Sequence, residues 1–395
     1  MSRLSELIAE LCPDGVEYKA LGDIEDEGRI KLGRGKVISK KAIAATPGDY
    51  PIYSSAATNE GLFGKYGKWM FDDTRITWSV DGGGKFFYRQ GGRRYSVTNV
   101  CGWMQVASEE IDAKYLYYTL SNEWSKKVFD YVHKAHPSVI RKEYVLPLPP
   151  IEVQREIVRI LDSFQELDDA LTAEIKARRK QYAYYRDELL KFERERVEYK
   201  TLGDVAHTFV GLATSVTKWK RPSGIRLLHN SDIQPNRIVI KNDEFIAPEF
   251  AERNKVKRLL VGDVITVHTG AVGTSSVINE EYDGTLGFTT LTARILDKDE
   301  LSPSYLCHVL NSDYCLAQIA KMSISDRNNL DQKSYNRMLI PIPPLEEQQR
   351  IVSILDRFDK LANDLSSGLP AEIEARHQQY EYYRDRLLTF LEKEV

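Results

Sequence analysis

The segment PLPPIEVQREIVRILD at residues 147–162 returns as PIPPLEEQQRIVSILD at residues 341–356, an offset of 341 − 147 = 194 in a chain of 395 residues. An internal repeat near half the chain length constrains the fold more than any local propensity, because each copy must solve the same packing problem. The match continues outward. QYAYYRDELL (181–190) recurs as QYEYYRDRLL (379–388), at 379 − 181 = 198, so the second copy carries four more residues between the blocks, around SSGLP at 366–370. VEYKALGD (16–23) recurs as VEYKTLGD (197–204), at 197 − 16 = 181. Slipping that register by one residue sets Glu6, Leu7 and Ile8 against Glu188, Leu189 and Leu190. The stretch LSELIAEL (4–11) then supplies the missing end of the repeat unit, and the duplication is circular.

The repeated segments read as helices. Ile157, Leu161, Phe164, Leu171, Ile175, Tyr182, Tyr185 and Leu189 follow steps of three and four, with Asp168 and Arg178 at the two positions that break the apolar series. The preceding prolines can close a strand and open a helix but not continue one. A helix over roughly 153–195 would be about 65 Å long. The second copy keeps the seam in Ile351, Leu355, Phe358 and Leu365, then in Ile373, Tyr380, Tyr383 and Leu387, with Gly368 and Pro370 placed to break or kink it. A long helix with one apolar stripe needs a partner. That partner is its own domain, the other copy of the helix running antiparallel about a pseudo-two-fold axis, or a second molecule.

Two stretches that do not resemble each other, roughly 24–146 and 205–340, separate the repeats. RITWSV, KFFYRQ, GIRLLHN, RIVIKN and DVITVHTG read as short strands, and residues 113–132 and 303–322 are helical in pattern, so each insert is expected to be a small α+β domain. A shared frame with different inserts implies two readers of two different things. Basic residues recur in both inserts: six in residues 29–41 without an acid, then Lys85, Arg89, Arg93 and Arg94, and later Lys218, Lys220, Arg221, Arg226, Arg253, Lys255, Lys257 and Arg258. A net charge of −3 argues against a uniformly basic nucleic-acid binder, so the clustering carries the signal; any one cluster could equally be solvated surface. Cys12, Cys101, Cys307 and Cys315 form no CxxC pair and read as reduced thiols of a cytoplasmic protein. No apolar run approaches the roughly 18 residues of a membrane span, and the N-terminus does not have the pattern of a signal peptide.

Two variable domains, each followed by P-[LI]-P-P-[IL]-E-x-Q and a heptad helix ending in Y-Y-R-D-x-L-L, resemble the specificity subunit of Type I restriction–modification enzymes over essentially the whole chain. The resemblance implies an α+β architecture of two globular target-recognition domains joined by two long helices in an antiparallel coiled coil with pseudo-two-fold symmetry. The boundaries would be a helical lead-in at 1–14, recognition domains at 15–150 and 197–344, and coiled-coil helices at 151–196 and 345–395. It implies double-stranded DNA with a split target, two methyltransferase subunits and restriction/translocase subunits as partners. S-adenosylmethionine, ATP and magnesium would be carried by those partners, with no cofactor in this chain. Deleting 366–369, or adding a helical turn near Thr172, is expected to change the gap between half-sites and not the half-sites. The alternative is a coiled-coil scaffold or a decoy or regulatory subunit without its own DNA specificity.

The residues fit that division of labour. No G-x-x-x-x-G-K-[ST] loop is present, and DGGGKF (81–86) has the wrong spacing and reads as a turn. No Asn/Asp-Pro-Pro-Tyr sequence is present to grip a flipped adenine, and no His/Cys group has metal spacing. His133 and His136 read as loop residues near DNA or at the surface, and Asp72–Asp73 as a turn. The chain is expected to have no catalytic activity of its own. Base edges are read by side chains with paired donors and acceptors. The candidates in the first domain are Lys36, Ser54, Ser55, Asn59, Lys65, Lys85, Lys134 and His136. In the second they are Thr214, Lys218, Lys220, Arg226, His229, Asn230, His268, Thr269, Arg327, Asn328 and Asn329, with Gly270 and Gly273 letting the backbone approach the duplex. Leu161, Phe164, Tyr182, Tyr185, Leu355, Phe358, Tyr380 and Tyr383 are the candidate subunit-interface residues. The tyrosines near the helix ends suit either a docking surface or core packing.

Overall fold

The computed structural model describes residues 3–55, 59–81, 85–129, 132–193, 195–241, 243–322, 329–363 and 368–393. The chain runs α1 Arg3–Leu11, β1 Tyr18–Ala20, α2 Leu21–Asp26, β2 Ile30–Arg34, α3 Lys40–Ala45, β3 Tyr50–Tyr53, β4 Leu62–Tyr66, β5 Arg75–Ser79, β6 Phe86–Arg89, β7 Ser96–Val97, β8 Cys101–Val106, α4 Ala113–Trp124, α5 Pro137–Glu143, β9 Val145–Pro147 and α6 Ile151–Leu189. It continues as β10 Glu198–Thr201, α7 Leu202–Val205, β11 Ala206–Val210, β12 Lys220–Arg221, β13 Ile225–His229, β14 Ile233–Gln234, β15 Arg237–Ile238, β16 Phe245–Ile246, α8 Pro248–Arg253, β17 Val264–Val267, β18 Ser275–Val277, β19 Leu286–Phe288, β20 Thr290–Ile295, α9 Pro303–Leu310, α10 Asp313–Met322, α11 Gln332–Asn336, β21 Leu339–Ile342, α12 Leu345–Asn363 and α13 Leu369–Leu387. These elements form two compact units, one of residues 1–170 with 374–395 and one of residues 171–373.

In the first unit a four-stranded antiparallel sheet has the order β2-β8-β5-β6, and a three-stranded sheet has the order β4-β3-β7 with β3 and β7 parallel. In the second unit the order β11-β20-β17-β18 repeats the first pattern, and β16-β13-β19 repeats the second, with β13 and β19 parallel and β12 added beside β16. The inserts differ in sequence and share a strand order. Every residue of β5 and of β17 is buried, as expected of a strand covered on both faces. In the first unit Ile76, Trp78 and Met104 pack under Leu116, Leu120 and Tyr144; in the second Val264, Leu291 and Ala293 pack under Tyr305, Leu306 and Val309.

The repeated motif has a structural reason. Gln154, buried in the first turn of α6, accepts from Asp112 N at 2.9 Å and donates to the carbonyls of Glu110 and Pro149. Gln348 does the same in α12, accepting from Ser302 N at 2.9 Å and donating to Glu300 and Pro343. Tyr115 and Tyr305 then donate to the carbonyls of Pro147 and Pro341, each at 3.1 Å. The glutamine and the prolines lock each long helix to its domain.

The helix seam is also resolved within each unit. In the first, Phe164 lies 5.7 Å from the Tyr383 ring and 6.2 Å from that of Tyr380, and His377 Nε2 lies 2.6 Å from Asp168 Oδ1. Rising numbers on α6 meet falling numbers on α13, so the two segments are antiparallel, and the polar seam residue Asp168 is answered by a histidine. In the second unit Tyr185 stacks on Phe358 at 5.3 Å, and Tyr182, Leu190, Ile351 and Leu355 share one core. The chain ends meet in the first unit: Leu4 and Leu388 share a core, and Val16 N donates to Leu391 O at 2.8 Å. Tyr18 donates to Phe390 O there, as Tyr199 donates to Phe192 O within the second unit. The circular register of the repeat is thus made by non-covalent contacts in one unit and by continuous chain in the other.

Three element expectations are corrected. The helix expected over 153–195 ends at Leu189, because Leu190 and Phe192 turn in to the second core and the chain enters β10. The helical pattern over 113–132 gives a helix only to Trp124, after which Phe129 packs against Trp124 at 4.6 Å. The pattern over 303–322 is two helices, parted where the Asn311 side chain accepts from Ser275 N and donates to Ser275 O. Gly368 is a bend immediately before α13, where Gly368 and Pro370 are placed to break the second long helix, while residues 364–367, which include 366–367 of the proposed deletion, lie outside the described residues.

Candidate nucleic-acid interface

The strand order brings separate loops to one end of each four-stranded sheet. In the first unit β2 finishes at Arg34, β5 finishes at Ser79, and β6 and β8 begin at Phe86 and Cys101. Lys36 lies just past this end, bridged to Thr98, while the Ser54 and Thr98 hydroxyls are 2.8 Å apart. Lys134 Nζ lies 2.8 Å from Asp81 Oδ1, and Trp78 Nε1 donates to Ala135 O at 2.8 Å, pinning the 134–136 loop to the same end. His136 caps α5 by accepting from Ser138 N; burial, then the nearby Arg34 charge, holds its pKa below the ordinary 6.5. Lys36, Ser54, Lys134 and His136 therefore gather around one sheet end, with Lys85 immediately before β6 and Ser55 following Ser54, whereas Asn59 adjoins Glu60, which is tied to Arg89 at the other end of β6. Lys65 lies farther along β4, opposite Pro51, and is exposed.

The second unit repeats the construction with different chemistry. Val267 ends β17, and His268, Thr269, Gly270 and Gly273 form the turn to β18. Asn230 Oδ1 accepts from His268 N at 3.3 Å, Leu330 N donates to His268 O at 3.0 Å, and Thr269 bridges to Asn329. His229, Asn230, His268, Thr269 and Asn329 thus converge. The pairings at the two ends correspond: Lys36 pairs with Thr98 as Leu212 pairs with Phe288. Gly35 and Gly211 precede those pairs. A Cβ at either would meet a carbonyl, Val97 O at 2.0 Å or Gly287 O at 2.3 Å, so only glycine lets the chain cross from one sheet to the other. On this correspondence Ser54 with Thr98 in one unit stands where His229 with Phe288, ring centres 5.4 Å apart, stands in the other.

Other candidates lie elsewhere or are already paired. Lys220 Nζ is 2.7 Å from Glu244, and Arg226 is ion-paired with Asp243 at the far end of β13 from His229. Lys134 is likewise held by Asp81. Thr214 and Lys218 are exposed in the loop before β12. Arg327 and Asn328 lie outside the described residues. Leu161 and Leu355 are fully buried and Tyr182 nearly so, so their contacts are with this chain. Phe164, Tyr185, Phe358, Tyr380 and Tyr383 pack across the helix pairs, while Tyr184 and Tyr382 are largely exposed beside Tyr185 and Tyr383. Asp73 accepts from Arg75 and Gln105, a structural role.

Sequence reasoning passed over Arg34, whose Nε donates to Asn99 O at 2.7 Å, and Thr98, Asn99 and Thr289 at the same sheet ends. The run SVTN (96–99), which holds β7 and the two residues after it, was the available signal. Thr289, at φ 51°, accepts from Asn230 Nδ2. Among the described residues no cluster of three or more His, Cys, Asp or Glu is arranged to hold a metal, and no helix is long and apolar enough to cross a membrane.

A profile of the Type I restriction modification DNA specificity domain matches residues 13–179 and 194–375. The specificity subunit of the Escherichia coli Type I restriction enzyme EcoR124I/EcoR124II is 34% identical over 299 residues, covering 71% of this chain and 72% of that one. A Mycoplasma pneumoniae protein that carries the name of a type I specificity subunit is 30% identical over 380 residues, covering 94% of this chain and 98% of that one. Among solved structures, the S subunit of the Type I system of M. genitalium matches with a TM-score of 0.55 at 14% identity over 95% of this chain and 96% of that one. A chain from a structure addressing assembly and conformational transition of the type I R-M system matches at 0.56 and 15% identity over 96% and 98%. These two share the fold.

Proposed function

The chain belongs to the type I restriction–modification DNA specificity family, and from that premise we propose that it reads a split duplex target, one half through each recognition domain, 15–150 and 197–344. It is the specificity subunit, and methyl transfer and cleavage belong to its partner subunits. The observation that carries the reading is the pair of equivalent sheet ends, built on one strand order and presenting different side chains: Lys36, Ser54 and His136 in one, His229, Asn230 and Thr269 in the other. Side chains of this kind offer hydrogen bonds to base edges and phosphates. Two methyltransferase subunits dock on the duplicated helix frame, where Tyr184 and Tyr382 are exposed at matching repeat positions. S-adenosylmethionine, ATP and magnesium enter with the partners.

Methylome sequencing tests this reading. A host expressing the chain with its neighbouring methyltransferase is compared with a host lacking only the chain. One split motif carrying methyladenine, lost without the chain, is the expected result and gives target and gap together. No new motif would place the scaffold or decoy reading first.

A further inference from the structure

A chain of hydrogen bonds crosses a cleft in the second unit and ties the recognition domain to both helices beneath it. Asn236, in the left-handed region at φ 61° in the turn between β14 and β15, donates Nδ2 to Tyr182 Oη on α6 at 2.7 Å. Tyr182 Oη lies 3.1 Å from His308 Nδ1 on α9, and His308 Nε2 lies 2.8 Å from Asp356 Oδ1 on α12. One placement of hydrogens satisfies every link: Asn236 donates to Tyr182, Tyr182 to Nδ1 of a neutral imidazole, and Nε2–H to the carboxylate. His308 is 2% exposed. The hydrogen bonds run beside a cleft of about 570 Å³ lined by Arg237, Cys307 and Asp359 among others, and Tyr182 and Leu355 also pack with Leu306 and Val309 in the core below it.

The first unit holds a cleft of about 460 Å³ at the corresponding place. There Tyr118 Oη donates to Asp162 Oδ1 at 2.6 Å, and Lys114 Nζ reaches Asp162 Oδ2 at 2.7 Å. Asp162 and Asp356 are repeat partners (356 − 162 = 194), as are Tyr182 and Tyr380 (380 − 182 = 198). Tyr118 and His308 each follow by three residues the tyrosine that bonds the proline carbonyl. Serine stands at 304 where the first unit has Lys114, so the bond to the helix carboxylate in the second unit rests on His308.

We propose that His308 is a positioning residue for target spacing: it fixes the angle at which the second recognition domain stands on its helix pair, and so restricts the gap at which that domain can engage its half-site. This rests on the specificity reading. Changing the gap by one base pair moves a half-site about 3.4 Å along and about 35° around the duplex. A domain free to pivot follows that displacement, and a clamped one does not.

The test uses the assembled methyltransferase and measures methyl transfer at the half-site of the second domain, on duplexes with the native gap and with gaps one base pair shorter and longer. His308→Ala is expected to narrow the native-to-altered-gap rate ratio about tenfold, the scale of one or two lost buried hydrogen bonds, with the native-gap rate much less affected. His308→Gln is expected to restore the ratio, because Oε1 can accept from Tyr182 while Nε2 donates to Asp356. Tyr182→Phe, which removes only the hydroxyl, should narrow the ratio in the same direction and serves if His308→Ala does not assemble. An unchanged ratio in these variants, or an equal loss at all gaps, overturns the proposal. Wild-type complex that methylates no split target sinks the specificity reading itself, a separate outcome.

Discussion

One buried amide anchors the start of each long helix. Gln154 and Gln348 each make three hydrogen bonds at a buried site, and no other side chain both accepts at Oε1 and donates twice at Nε2 in that geometry. Gln348→Ala orphans Ser302 N and two carbonyls, which should cost the second unit about 2–4 kcal/mol. Gln348→Glu should cost a comparable amount, because a carboxylate cannot donate to Glu300 O and Pro343 O. Urea unfolding followed at Trp219, the single tryptophan of residues 171–373, measures both, and a shift under about 0.5 kcal/mol would show the amide dispensable. The glutamine was visible in the sequence as part of a repeated motif; its partners were not, because Asp112 and Ser302 lie about 40 residues upstream in inserts that share no sequence. The cysteines make the opposite case. All four are buried, and burial pushes the Cys101 and Cys315 thiols up to about 12 and raises Cys12 and Cys307 as well. The thiolate is the reactive form, so at pH 8 the folded chain should take up almost no iodoacetamide, and the unfolded chain four equivalents. Rapid labelling of any folded cysteine contradicts this.

Among the elements, the helices were the more legible because a seam at three- and four-residue spacing survives without knowledge of its partner. Phe164 shows what the partner adds: it packs against Tyr380 and Tyr383 of α13. Phe164→Ala should weaken docking of the C-terminal segment by about 2 kcal/mol, below the full cost of a core phenylalanine because the ring is only half-buried. Limited proteolysis should then release fragments cut between 369 and 393 faster than from wild type; an unchanged cleavage rate would place the docking energy elsewhere along α13. Element ends were less legible. Asn311 ends α9 because Ser275 needs its side chain, and no local signal announces a partner 36 residues away. The strand order was hidden for a similar reason: strands as short as β7, two residues long, are made by pairing with β3 and not by their own propensity.

At the scale of the whole chain, a net charge of −3 is compatible with DNA binding only if cations and acids are segregated, and the structure sorts the cations more finely than composition could. Grouping the candidates by residue type picked out His229, Asn230, His268, Thr269 and Asn329, which converge because the β17–β18 turn is held by Asn230 and bridged to Asn329. The same grouping could not tell a solvated lysine from a paired one. Lys218 is exposed, whereas Lys220 must leave Glu244 before it can meet a phosphate. If both flank the duplex, Lys218→Ala should weaken binding and reduce the magnitude of the slope of log K against log salt by about 0.9, the value for one phosphate contact. Lys220→Ala should change the slope less, because it also frees a carboxylate that repels the backbone. Fluorescence anisotropy of the assembled methyltransferase on its target, from about 50 to 200 mM salt, separates the two. Weaker binding by Lys218→Ala at an unchanged slope would mean that this lysine supports the loop before β12 and does not neutralise a phosphate, and the footprint would then be confined to the sheet end.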